Sequence, residues 1–147
     1  MRFMTTSIDQ IYDDFAFLDE WEDRYHYIID LGAELPAYPE AARDAAHKVQ
    51  GCVSQVWLNS NISGEADPRI SYEGDSDSDI VKGLVAIVLA LYSGRRASEI
   101  LSTDADAALA KLGLDEHITR KRSNGLRAMI KRIRQEAARL AEGATAS

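Results

Sequence analysis

The sequence of 147 residues has few cysteines, few prolines and no long apolar run: it holds one cysteine and three prolines, and its longest apolar run is Leu84 to Tyr92. A single cysteine excludes an internal disulfide and fits a reducing compartment, so the expected location is the cytoplasm. The apolar run is well short of the roughly 20 residues that cross a bilayer. Residues 1–10 contain no apolar stretch of signal-peptide length. We therefore expect a soluble chain with no membrane partner.

The composition is that of a globular protein. Hydrophobic residues make up 46% of the chain and charged residues 28%, which is not typical of disorder. With nine glycines and three prolines, the chain has no room for a long internal linker. We expect a single domain over residues 1–147, because this length is large enough to bury a core of its own. The tail, from about 143 to 147, is expected to fray.

The net charge of −7 is unevenly distributed along the chain. Residues 117–140 carry eight arginines and lysines against one acid, so one end is basic and the rest is acidic. This pattern leaves open a non-catalytic adaptor that binds an acidic protein or a nucleic acid through a basic helix. The overall acidity and the lack of interleaved aromatic residues argue against a nucleic-acid partner. A helix with an apolar core face and a basic outer face is most often simply solvated.

Apolar residues recur at the helical spacing in two N-terminal segments. The first covers residues 8–18 and is capped at residue 6 or 7; the second begins after Asp19 and ends at Gly32. Pro39 is expected to begin a short helix through Ala46. Further helices are predicted at 80–92, 97–101 and 105–112, and from Ser123 or Asn124 onward. The helix at 80–92 is apolar on nearly all sides, which predicts burial.

Three segments have strand character: a short one at 48–50, a longer one at 54–62 and a third at 69–73. The loops between them are short, so the strands should pair antiparallel. The sequence therefore predicts an α+β fold in which one small three-stranded antiparallel sheet is covered by helices.

The polar run at 74–79 begins like a calcium-binding loop, with aspartates at alternating positions. Ile80 and Ala86 occupy the places of the turn glycine and of the bidentate glutamate, so the pattern fails. We expect the run to cap the central helix. The three histidines, at 26, 47 and 117, have no metal-ligand spacing, and no metal site is expected.

The lone cysteine, Cys52, follows Gly51 and precedes a strand-like run. A glycine there lets the backbone take a positive φ, so the cysteine is expected at the tip of a loop. A lone cysteine is commonly a buried small hydrophobe. The small or polar neighbours Ser54 and Gln55 favour the loop instead. The residues around Cys52 therefore favour a thiol at a loop tip over a buried structural one.

The run Gln50-Gly51-Cys52-Val53-Ser54-Gln55-Val56-Trp57 closely resembles the active-cysteine signature of the SufE family. Members are sulfur acceptors that work with a cysteine desulfurase in iron–sulfur cluster assembly. Three further blocks resemble the family in the same order: residues 21–36, 74–84 and 117–129. The chain departs from the family pattern at Val53, at Ser78 and at Arg120-Lys121, the last beside a candidate docking residue.

The resemblance implies the SufE/IscU-like fold, which is shared with iron–sulfur scaffold proteins. It implies that Cys52 takes sulfur from the persulfide of a SufS-type, PLP-dependent cysteine desulfurase, stimulates that enzyme and passes sulfur towards a scaffold complex. PLP would belong to the desulfurase, so this chain needs no cofactor. The site residues implied beside Cys52 are the supporting loop of Gln50, Gly51, Ser54 and Gln55, and Asp77 and Arg122 near the loop or the partner surface. An arginine beside the cysteine would favour the thiolate.

Overall fold

A computed structural model describes residues 6–146 of the chain. Its elements follow in the order α1 (Ile8–Phe17), α2 (Trp21–Ala33), a 3-10 turn (Glu40–Ala42), β1 (Val56–Ile62), β2 (Arg69–Ser76), α3 (Asp79–Tyr92), β3 (Arg95–Arg96), α4 (Ala97–Ser102), α5 (Ala105–Leu112), α6 (Leu114–His117) and α7 (Arg120–Ala146). The α+β class and the three-stranded antiparallel sheet are confirmed. The helix at 105–112 has the predicted bounds, and Gly113 ends it with φ 66°.

The sheet has the order β1-β2-β3, and both pairs are antiparallel. The segments that form the sheet are not all those that were predicted. The segment at 48–50 forms only one isolated bridge, between Lys48 and Trp57, and the third strand is the two-residue β3. Two backbone bonds hold the segment before the cysteine to β1: Val49 N–H to the Val56 carbonyl (2.8 Å) and Leu58 N–H to the His47 carbonyl (2.9 Å). That is too few to extend a strand.

Strand β2 runs further than predicted, because 74–76 belong to it and not to a helix cap. A Cβ on Gly74 would lie 2.6 Å from Cγ1 of Val85, so this glycine lets β2 lie against α3. Ser78 alone caps α3, accepting a hydrogen bond from the Val81 N–H. On β1, Val56 and Leu58 are buried, whereas Ile62 at the end of the strand is 48% exposed.

The core is built around α3, which is buried on nearly all sides, as predicted. Helix α2 crosses α3 where two glycines meet. A Cβ on Gly83 would lie 2.1 Å from the carbonyl oxygen of Ile28, and one on Gly32 would lie 2.7 Å from the Gly83 nitrogen. The prediction that Gly32 ends α2 was therefore wrong. It lies inside the helix and allows close contact between two backbones.

Three other predicted helix boundaries were wrong. Asp19 does not cap α2: the cap residue is Glu20, which makes no side-chain capping bond. The helix expected from Pro39 to Ala46 is a single 3-10 turn. Helix α7 begins at Arg120, three residues early, because the Thr119 hydroxyl accepts from the Arg122 N–H (3.3 Å).

The end of the chain is helical as far as Ala146. The predicted fraying of 143–147 stays a prediction, and Ser147 lies outside the described residues. Within residues 6–146, no helix is both long enough and apolar enough to cross a membrane.

Candidate functional site

The candidate site is built on residues 50–55, here called the cysteine loop, which connects the Lys48 bridge to β1. Gly51 has φ 90°, the positive value that its position before Cys52 predicted. A Cβ on Gly51 would lie 3.4 Å from Cβ of Ala128, so the loop lies directly against α7. Any other residue at 51 would strain the backbone.

The Cys52 thiol is half-buried, not fully exposed at the loop tip. Its S–H donates to the carbonyl oxygen of Gly125 in α7, with Sγ 3.6 Å from that oxygen. Burial raises the pKa of Cys52 above its ordinary value. The exposed apolar side chain of the loop is Val53, which is 75% accessible. At rest the sulfur is therefore a protonated thiol that faces α7.

Cys52 opens onto a cavity of about 270 Å³ between the cysteine loop, the first turn of α3 and the first turns of α7. We call it the cysteine cavity. Its polar wall includes Ser54, Thr119, Lys121 and Arg122. The cavity leaves room beside the thiol for one more sulfur atom, and the two cations in its wall would favour a negative charge there.

Asp77 fastens the cysteine loop to the body of the protein. Its carboxylate accepts from the Gln55 backbone N–H (3.0 Å) and lies 3.4 Å from the Gln55 side-chain nitrogen. The Asp77 N–H donates in turn to the Gln55 carbonyl (3.2 Å). These bonds bring together two residues that the sequence had proposed separately. Ser54 is half-buried in the cavity wall, and Gln50 is exposed.

Arg122 lies in the cavity wall, but its guanidinium is held by another residue. It donates to the Tyr25 hydroxyl and stacks over the Tyr25 ring at 5.7 Å. Burial alone accounts for the raised pKa of Cys52, so this arginine does not offset the desolvation of the resting thiol. Arg122 and Cys52 share one cavity without an ion pair between them.

A family model described as the SufE Fe-S metabolism associated domain matches residues 9–137. The chain belongs to the SufE family. An uncharacterized SufE-like protein of Rhizobium meliloti is 60% identical over 133 residues, which is 90% of this chain and 95% of that protein. One of Rhizobium etli is 57% identical over 137 residues, covering 92% and 93% of the two chains.

The fold of this SufE-family chain also matches a solved structure. The solution structure of a hypothetical protein from Thermus thermophilus superposes with a TM-score of 0.71. The match covers 90% of this chain and 94% of that one at 18% identity, so it shows the fold alone. Family membership confirms the resemblance found in the sequence and assigns the chain a role in iron–sulfur metabolism.

Sequence reasoning gave no role to two residues of this SufE site, Gly125 and Tyr25. Gly125 lies against the thiol, because a Cβ there would contact the Cys52 sulfur at 3.4 Å. An isolated glycine inside a helical pattern was the available signal. Nothing in the sequence connects Tyr25 with Arg122, which lies 97 residues away.

The histidines serve other purposes in this SufE chain. The His47 ring bonds the Asp44 carboxylate at 2.6 Å, and His117 stacks on Trp21 with centroids 4.1 Å apart. Across the part of the chain that the structure describes, no group of three His, Cys, Asp or Glu side chains could hold a metal ion.

Proposed function

We propose that this SufE-family protein is a sulfur acceptor that takes persulfide sulfur from a SufS-type cysteine desulfurase onto Cys52. The observation that supports the proposal most directly is the position of the thiol. The chain's only cysteine lies on a loop with a positive-φ glycine, at the wall of a cavity that also contains Lys121 and Arg122. A sulfur carrier needs a thiol that its partner can reach and space for one additional sulfur atom. Cys52 is half-buried at the wall of a cavity that offers such space.

The transfer step balances without an added oxidant. The Cys52 thiolate attacks the outer sulfur of the desulfurase persulfide, and a new S–S bond forms on Cys52. The original S–S bond breaks, and its electron pair returns to the desulfurase cysteine as a thiolate. The Cys52 proton leaves to solvent or to a base of the partner. The desulfurase site is then free for another turnover, which explains why an acceptor would stimulate that enzyme.

The resting geometry implies that docking prepares the thiol. While Cys52 donates to the Gly125 carbonyl and its pKa is raised by burial, it is a poor nucleophile at neutral pH. Moving the loop outward would break this contact and expose the sulfur. Val53, already 75% exposed beside it, offers an apolar contact to the partner. On the return, Lys121 and Arg122 would face the negatively charged persulfide in the cavity.

The product then passes to an iron–sulfur scaffold complex. A persulfide in a cavity of about 270 Å³ is shielded from solvent reductants on the α7 side, where Gly125 lies against the sulfur. PLP belongs to the desulfurase in this scheme, and the chain itself supplies only the sulfur-carrying thiol and the docking surface.

The test is the mass of the intact protein after incubation with a SufS-type desulfurase, PLP and L-cysteine, once reductant has been removed. The expected result is a gain of one or more sulfur atoms on the wild type. That gain should be reversed by reductant and absent from Cys52→Ser. Unchanged sulfur loading of Cys52→Ser would overturn the assignment.

A second measurement covers the case in which the wild type gains no sulfur from a desulfurase of proven activity. Native Cys52 is then alkylated with and without that desulfurase present. Faster alkylation in the complex would show docking that exposes the thiol and would retain the proposal. An unchanged rate, equally slow in both samples, would mark Cys52 as a structural thiol and reject it.

A further inference from the structure

A second and larger cavity lies between the sheet and the C-terminal half of α7. Its volume is about 740 Å³, within the range of small-molecule sites, and we call it the α7–sheet cavity. The side chains that decide its chemistry are His47, Ser60, Tyr72, Arg132, Glu136 and Arg139. It shares no lining residue with the cysteine cavity. Gly125 and Glu136 are separated by about 16 Å of helical rise.

The helix directs three charged side chains towards the sheet. Arg132, Glu136 and Arg139 are spaced by four and three residues, so they share one face of α7. The sheet contributes two hydroxyls, Ser60 from β1 and Tyr72 from β2. The resulting arrangement places two guanidinium groups on either side of one carboxylate.

Both oxygens of that carboxylate already accept a hydrogen bond. One Glu136 oxygen accepts from the Tyr72 hydroxyl and the other from the Ser60 hydroxyl, each at 2.8 Å. Burial, followed by the Glu136 charge, raises the pKa of Tyr72, so the tyrosine stays a neutral donor. Glu136 therefore forms the polar floor of the cavity and is not paired with either arginine.

The two guanidinium groups keep their charge. Arg132 donates to the backbone carbonyls of Lys48 (2.8 Å) and Ala46 (2.7 Å), which position it without neutralising it. Among the side chains described, no carboxylate lies within 4.0 Å of the guanidinium of Arg132 or Arg139. His47 has its own acid, Asp44. The cavity thus carries two arginine cations and one carboxylate, and the positive charge is in excess because neutral hydroxyls, and not the arginines, hold the carboxylate.

We propose that the α7–sheet cavity binds a small organic anion through a carboxylate or phosphate group held by Arg132 and Arg139. The planar guanidinium of an arginine can donate two parallel N–H bonds to the oxygens of either group. Each of the two guanidinium groups still has N–H donors available. The buried wall at Leu58 would cover the apolar part of the ligand. The Ser60 and Tyr72 hydroxyls, which donate to Glu136, could accept a hydrogen bond from a donor group of the ligand. This site is independent of sulfur loading at Cys52.

The experiment is a titration of the full-length protein, followed by amide NMR, with inorganic phosphate and with citrate as separate probes. Ionic strength is held constant by replacing chloride. The expected result is a saturable shift of the Ser60, Tyr72 and Arg139 amides with at least one probe. Which probe binds more tightly distinguishes a phosphate ligand from a carboxylate ligand. No saturable shift with either probe at tens of millimolar would overturn the proposal.

Two arginine variants separate a built site from general attraction to a basic helix. Arg139→Ala should weaken binding of the anion roughly tenfold, since it removes one of the two guanidinium groups that hold it. Arg120→Ala removes the same charge from the same exposed helix but lies outside the cavity, and it should leave affinity within about twofold. Equal losses in both variants would show non-specific attraction and reject the site.

Discussion

The Cys52 thiol donates to the carbonyl oxygen of Gly125, 73 residues further along the chain and 3.6 Å from the sulfur. This contact decides the resting state of the site, because it holds the sulfur against α7 in its protonated form. A Cβ on the same glycine would touch the sulfur at 3.4 Å, so the thiol lies directly against the helix. In the proposed function, this contact would keep the thiol protected until a desulfurase docks.

The first prediction concerns the pH dependence of Cys52 reactivity. Burial raises the pKa of the thiol in the folded protein, so at any pH below that value less thiolate is present than in the unfolded chain. The alkylation rate of Cys52 should therefore reach half of its maximum at a higher pH in the native protein than in the protein unfolded in urea. Iodoacetamide labelling followed by mass spectrometry measures the rate in both states. A native midpoint at or below the unfolded one would contradict the half-buried resting state.

The second prediction concerns Asp77, whose carboxylate accepts from the Gln55 N–H at 3.0 Å. Asp77→Ala should lower the free energy of unfolding by about 1 kcal/mol and should speed alkylation of Cys52, because the cysteine loop loses its bond to the connection between β2 and α3. Asp79→Ala is the matched control, since it removes a nearby exposed acid that does not contact the loop. Urea unfolding and labelling rates are the measurements. Equal acceleration in both variants would mean that charge, and not the bond to Gln55, restrains the loop.

The third prediction concerns the glycine contact between α2 and α3. A Cβ on Gly83 would lie 2.1 Å from the Ile28 carbonyl oxygen, so the helices must separate to accept it. Gly83→Ala should lower the free energy of unfolding by about 3 kcal/mol or more. Gly64→Ala, at a position with nothing within 4 Å, should change it by less than about 0.5 kcal/mol. Denaturant midpoints measure both, and a stable Gly83→Ala would show that the helices do not cross there.

The fourth prediction separates positioning from charge at Arg122, which donates to the Tyr25 hydroxyl. Arg122→Lys keeps the charge but loses the planar fork, and we expect it to slow sulfur loading of Cys52 severalfold while leaving the unfolding midpoint nearly unchanged. Tyr25→Phe should have a smaller effect in the same direction. Lys131→Ala, an exposed cation on the same helix, is the control.

The readout for Arg122 is the rate of mass gain at saturating and at limiting desulfurase concentrations. A loss confined to limiting desulfurase would assign Arg122 to docking, and a loss that persists at saturation would assign it to the persulfide in the cavity. If Lys131→Ala slows loading as much as Arg122→Lys, neither role holds and the helix acts only through its total charge.

Local pattern predicted most of the secondary structure. The apolar spacing of α3 and α5 and the glycine that ends α5, Gly113, are signals that involve only residues a few positions apart. For this reason α5 has its predicted bounds, and the bounds of α3 lie within one residue of those predicted. The errors occurred where distant elements compete for the same residues. Gly74 extends β2 because Val85 lies against it, and Gly32 stays helical, one residue before α2 ends, where Gly83 lies against it. A glycine signals a helix end and a close contact equally well, and only the neighbour distinguishes the two.

The sequence by itself determined the family, the α+β class and Cys52 as the chain's one thiol, because these depend on residue identity and local spacing. Only the tertiary structure decided the state of that thiol. Its burial, its bond to Gly125 and the cavity that it shares with Arg122 arise from α7 packing across the cysteine loop. The α7–sheet cavity has the same origin, since Arg132 and Tyr72 meet only when helix and sheet pack. Side-chain chemistry is local, whereas solvation and pKa depend on what the fold places beside it.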